Sequence, residues 1–189
     1  MDRMARPRTV HDDTVVAALA TTFRATGYDG ASMTTLSAAA GLRSASLYHR
    51  FPGGKTEMAM TVLDDVGRQF GLILEPLGSG ADPSSCVVEM AGRLAQFYAD
   101  GRLACLLDTM TLGGAPDEVV ARARALGGAW VDAMTDLAVR AGLDEPEGRR
   151  RAVQAFARVE GSLVVARVLA DPAEFLATLD ALPHLLTGK

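Results

Sequence analysis

Between Gly30 and Pro52 the chain has room for only two helices, each about two turns long, and this spacing constrains the fold more than any other feature. Ser32 is suited to accept an orphan backbone N–H at the start of the first, which the pattern predicts over 33–40. Gly41 closes it, entering a left-handed cap without a Cβ penalty. The second helix begins near Ser44 and ends by Phe51, because Pro52-Gly53-Gly54 forbids continuation. Two short helices joined by a glycine-containing turn form a helix-turn-helix candidate. One preceding helix completes a three-helix core: Val15, Ala18, Leu19 and Phe23 recur at helical spacing, and Gly27 stops the run. Thr9 with Asp12 three residues on is a capping-box signature for its start.

The remainder also reads as helix. Ala59, Val62, Leu63, Val66, Phe70, Ile73 and Leu77 make one long apolar stripe, and Asp82-Pro83 caps a helix running to about Ala99. A shorter segment spans 103–112. Pro116-Asp117-Glu118 opens a helix striped by Val119, Ala123, Leu126, Trp130, Met134 and Leu137, which Arg140 and Gly142 finish. Asp144 with Glu147, and Asp171-Pro172 with Glu174, start two more. No strand alternation interrupts them. The predicted class is all-α with about nine helices, a head over 1–53 and a helical bundle over 54–189.

The formal net charge of −4 argues, taken whole, against a nucleic-acid partner. Divided at Lys55 it reverses: residues 1–55 carry seven basic and four acidic groups, net +3, and the rest is net −7. A basic head is what exchange of DNA counterions for Lys and Arg requires.

Other chemistry is poorly served. Cys86 and Cys105 are too few for a disulfide framework and lack partners at metal spacing, so they read as buried free thiols, and no metal or cofactor is expected. His11, His49 and His184 lie far apart in sequence, which leaves no acid–base set for an enzyme. Gly54-Lys55-Thr56 imitates the end of a phosphate-binding loop, but His49 stands where the first glycine is needed. No apolar run is long enough to span a bilayer. The run from Val15 to Ala20 that follows Arg3, Arg6 and Arg8 is too short for a secretory segment, so a cytoplasmic protein without membrane contact is expected.

Ala39-Ala40-Gly41, Leu47-Tyr48-His49-Arg50-Phe51 and Lys55 together resemble the DNA-binding head of the tetracycline-repressor (TetR) family over roughly residues 10–60. The Phe51-Pro-Gly-Gly-Lys55 turn is similar to the multidrug- and flavonoid-responsive, LmrA-like branch. The resemblance implies a dimeric regulator, most simply a repressor, that reads a palindromic double-stranded operator through two heads about 34 Å apart. It implies phosphate contacts from Tyr48, His49 and Lys55, with hydroxyl support from Ser32, Thr34 and Thr35 at a helix start. Base edges fall to the start of the second short helix, Arg43, Ser44, Ala45 and Ser46. Arg43 is the only one of these able to pair bidentately with guanine. It stands where the family has a small capping residue, so the cap passes to Ser44 and Arg43 reads a base or touches a phosphate. Arg50 adds a phosphate contact or is simply solvated.

The acidic half is then expected to dimerise and to hold a small-molecule inducer. Phe70, Phe97, Met110, Trp130, Met134 and Phe156 are large enough to line an aromatic-ligand site, although such stripes are more often plain core. Glu160 shares a stripe with Phe156 and Val164, where a carboxylate needs a partner: Arg167, or the cationic group of a ligand. Leu163, Val164 and Val168, with Leu179 and Leu182, form the expected dimer face. A helical dimer that only binds hydrophobic molecules is the competing reading.

Overall fold

The computed structural model describes residues 12–188. The cap expected at Thr9, like Arg3, Arg6, Arg8 and His11, lies outside the described residues. Within them the chain forms nine α-helices and one 3-10 turn, with no strand.

The head is built from α1 (Asp12–Gly30), α2 (Met33–Ala39) and α3 (Ser44–Arg50). Val15, Leu19 and Phe23 of α1 meet Leu36, Leu47 and Phe51, all buried. Gly27 breaks α1 as its sequence predicts, with φ 67° and ψ −178°, and the chain then makes one more turn to Gly30. Ser32 caps α2, its Oγ accepting from the N–H of Thr35 at 3.0 Å. Gly41 takes φ 64° in the turn before α3.

The long α4 (Gly54–Leu74) leaves the head and enters the body, burying the predicted stripe from Ala59 to Ile73. Its first turn is closed by Glu57, which accepts from the Gly53 N–H at 2.7 Å. Leu77 completes the stripe on the 3-10 turn Glu75–Gly78 and is also buried. Asp82 caps α5 (Pro83–Phe97) through the Ser85 N–H at 2.9 Å.

The next helix, α6 (Leu106–Thr111), starts later than the sequence suggests. The reason is local: the Leu103 N–H turns back to the Tyr98 carbonyl at 3.1 Å, so Leu103 sits in the turn that follows α5 and not in the next helix. Three helices complete the body: α7 (Asp117–Arg140), α8 (Glu145–Leu169) and α9 (Ala173–Thr187). Asp144 caps α8 as predicted, accepting from the Glu147 N–H at 2.8 Å. The apolar core is continuous from Val15 to Leu186, so head and body share one buried interior.

Candidate nucleic-acid interface

The chain's geometry in the head separates two faces of a very short helix. Leu47 of α3 is fully buried and anchors the helix to Leu36 and the α1 stripe. Arg43, Ser44, Ala45 and Ser46 precede it on the exposed side, followed by Tyr48 and His49. A helix of seven residues that spends Leu47 on the core can offer only its beginning and one flank to a partner.

The cap differs from expectation. Arg43 occupies the N-cap with extended backbone, φ −74° and ψ 148°, and its side chain makes no capping bond. Ser44 does not take over that task; its hydroxyl lies 3.0 Å from Ser37 Oγ and ties α3 to α2. The first N–H groups of α3 are therefore uncapped by side chains, and the Arg43 guanidinium stays exposed. Ser32 and Thr35 are joined at 2.7 Å, with Thr34 exposed beside them at the start of α2.

Two cations of the head have internal partners. Lys55 donates to the Tyr28 carbonyl at 3.0 Å and sits 4.3 Å from the centre of the Tyr28 ring, itself held by a hydrogen bond to Thr56 at 2.9 Å. One ammonium proton is thus engaged in fastening α4 to the end of α1, leaving the others for outside contacts. Arg50 is half-buried and pairs with Asp12 at 3.3 Å, tying α3 to the start of α1.

The body contains a cavity of about 440 Å³ between α6, α7 and α8. Of the aromatic-site residues suggested by sequence, only Phe156 lines it, together with Glu160. Phe70, Met110, Trp130 and Met134 are buried in the core instead, and Phe97 packs against Phe70 with centroids 5.2 Å apart. Trp130 nonetheless backs the cavity wall, its ring 5.9 Å from that of Phe156 and its Nε1 buried without a partner. The plain reason is the helical period: an apolar stripe that faces the bundle axis is core first.

Glu160 does not pair with Arg167 within the protomer. Arg167 donates to the Leu163 carbonyl at 2.9 Å, while Glu160 faces the Cys105 thiol and the Asp108 carboxylate. Burial first, and the like charge of Asp108 after it, push the Glu160 carboxyl up from its ordinary value. Sequence could not place Asp108, Arg124 and Arg149, which also border the cavity, because they come from three helices. Cys86 and Cys105 are both buried free thiols. Cys105 accepts from the Tyr98 hydroxyl at 3.4 Å, and burial pushes its thiol up to about 12.

The expected dimer face divides. Val164 and Val168 of α8 are 46% and 76% exposed, and Val165 and Leu169 are exposed beside them. Leu163, Leu179 and Leu182 are buried inside the protomer, where α8 and α9 pack on the core. Among the described residues no group of His, Cys, Asp and Glu is placed to hold a metal ion, and no helix is long and apolar enough to cross a membrane.

A three-helix head that presents the start of its third helix, set on a helical body, defines a helix-turn-helix DNA-binding protein. Comparison with known proteins narrows the class. Residues 15–60 match the profile of the family described as bacterial regulatory proteins, tetR family. An uncharacterised HTH-type transcriptional regulator of Mycobacterium tuberculosis, Rv0196, is 24% identical over 133 residues, covering 67% of this chain and 68% of that protein. A TetR transcriptional regulator of Legionella pneumophila shares the fold with a TM-score of 0.81 at 16% identity, covering 97% of this chain and 98% of its own. So does a cysteine-substituted TetR family regulator, CifR, solved with 26-bp double-strand operator DNA, with a TM-score of 0.73 at 22% identity and 95% and 98% coverage. Residues 15–60 are thus similar to the DNA-binding head of tetR-family regulatory proteins, and the chain as a whole is similar to HTH-type transcriptional regulators. Regulators of this type are transcription factors and not enzymes.

Proposed function

We propose that the protein is a dimeric, ligand-responsive repressor. The observation that carries this reading is the exposed row Arg43-Ser44-Ala45-Ser46 at the start of a helix anchored by a fully buried Leu47. Its residues read base edges, with Arg43 bidentate to guanine. Tyr48, His49, Arg50 and Lys55, with Ser32, Thr34 and Thr35, hold the phosphate backbone and fix register. The reading-unit boundary falls at residue 53, with the ligand and dimer functions in 54–189.

One such head makes too few contacts for a specific site, so two copies act on a palindrome. Val164 and Val168 are the apolar exposed residues offered for that pairing. The inducer is a small hydrophobic or aromatic molecule held in the cavity of about 440 Å³ by Phe156, with Glu160 at its polar end. Membership of the LmrA-like, multidrug- and flavonoid-responsive branch is supported by the Phe51-Pro-Gly-Gly-Lys55 turn and by Phe156 in the cavity lining. An inducer releases DNA only if it binds the released state more tightly. The protein then works in the cytoplasm, on the chromosome.

Footprinting of the purified protein on its own upstream region at low salt tests the reading, with Arg43→Ala as the diagnostic variant. Arg43→Ala should relax preference at one base pair per half-site and His49→Ala should weaken all sequences alike. No footprint on any upstream sequence would remove the repressor reading. Unchanged preference in Arg43→Ala would remove base reading by that residue.

A further inference from the structure

A second cavity, of about 390 Å³, lies where the head joins the body and is separate from the one assigned to the inducer. Three arginines from three elements converge on it: Arg24 of α1, Arg102 of the α5–α6 connection and Arg167 of α8. Ala25, Leu103 and Ala104 supply apolar surface between them.

Arg24 is the unusual member. Its guanidinium stacks over the Phe97 ring at 5.5 Å, and its Nε is buried with no hydrogen-bond partner. The ionisable groups facing it are Tyr98 and Cys105, both kept neutral by burial, and burial lowers the Arg24 pKa from its ordinary value. No ion pair reaches Arg24 among the described residues. The nearby carboxylates are engaged elsewhere: Asp100 pairs with Arg102 at 3.5 Å, Asp171 accepts from the Ala173 N–H at 2.9 Å, and Glu160 acts electrostatically on Arg167. Arg167 spends one N–H on the Leu163 carbonyl. An uncompensated, partly desolvated guanidinium is costly, and an anion that accepts from it offsets the cost. Arginine is also the side chain best shaped for a planar carboxylate or a phosphate.

We propose that this cavity is an anion site for a small organic molecule with an oxyanion head, a carboxylate or phosphate, on a short apolar body. The head is held by Arg24, with Arg102 and Arg167 at the rim, and the carbon skeleton lies on Ala25, Leu103 and Ala104. Because Arg24 follows Phe23 of the head's core, occupancy ties α1 to the body and biases where the head sits.

The test is independent of DNA binding and therefore of the repressor reading. Calorimetric titration and thermal unfolding of the full chain use benzoate, inorganic phosphate and the neutral benzamide, at matched ionic strength. Wild-type protein is expected to bind and be stabilised by benzoate or by phosphate, and not by benzamide. The arm that succeeds identifies the kind of oxyanion. Arg24→Met keeps the stem over Phe97 and should lose that binding about tenfold or more, as should the surface variant Arg102→Gln. Without anion, Arg24→Met should unfold no earlier than wild type, since it deletes an unpaired charge. The proposal is overturned if neither anion binds, if benzamide stabilises equally, or if both variants respond to the anions as wild type does.

Discussion

Replacing Gly27 by alanine tests how the head is seated on the body. Gly27 has φ 67° and ψ −178°, a combination that L residues occupy only under strain. A Cβ there would sit 3.1 Å from the Thr109 carbonyl oxygen of α6, which is backbone and has no rotamer to escape into. The conformational strain alone costs about 1–3 kcal/mol. The crowding adds to it, since α1 or α6 must shift. For a domain of this size each kcal/mol lowers Tm by about 2–4 °C, so Gly27→Ala should melt about 2–12 °C below wild type. Gly41→Ala is the matched control: its φ is 64° but nothing lies within 4 Å of the added carbon. It carries only the left-handed penalty of about 1–2 kcal/mol. Circular dichroism melts and urea titrations of both variants give the comparison. If Gly27→Ala costs no more than Gly41→Ala, the close approach of α1 to α6 does not contribute as argued.

Three further outcomes follow from the same geometry. Asp144→Ala removes the α8 cap on the Glu147 N–H and should cost about 1 kcal/mol in denaturant titration. The Glu160 carboxyl has a folded-state pKa above its unfolded value, so its contribution to stability is present below the unfolded pKa and is lost as pH rises through the folded one. Glu160→Gln should therefore gain on wild type in Tm as pH is raised from about 4 to about 7; a difference independent of pH would contradict that assignment. Cys105, buried and pushed up to about 12, should resist iodoacetamide in the native protein and react only after unfolding, measured by mass spectrometry.

The local rules of the chain were legible in its sequence because caps and glycine stops act within four residues. Ser32, Asp82 and Asp144 each cap the helix they precede, and Gly27 breaks α1 where a residue without Cβ is needed. The cap of α3 was not legible, because Ser44 could bond forward along α3 or sideways to Ser37, and only tertiary packing chooses the second. The cavity was equally hidden. Periodicity assigns Trp130, Met134 and Phe156 to inward faces but cannot say which of them stops at an opening, since that depends on the small Gly127 and Gly128 of α7 that line the cavity, the first of them opposite Phe156. Likewise Leu163 and Val164 are neighbours in one apolar run, yet one is 1% exposed and the other 46%. A rotation of 100° per residue around α8 separates core from surface, and that phase is set by what α7 and α9 present to it.

The division of charge at Lys55 gains a structural counterpart at the same residue. Lys55 stands in the first turn of the helix that runs from head to body, and its ammonium rests on the ring and carbonyl of Tyr28 at the end of α1. Arg50 joins α3 to α1 at the other end of the head, and Gly27 brings α1 against α6. Among the described residues, the main packing of the head on the body therefore runs through α1, which lies against α6, and through α4, which lies against α7. The proposed ligand in the body would act on α3 through α1 or α4, and Arg24 lies on the first of them.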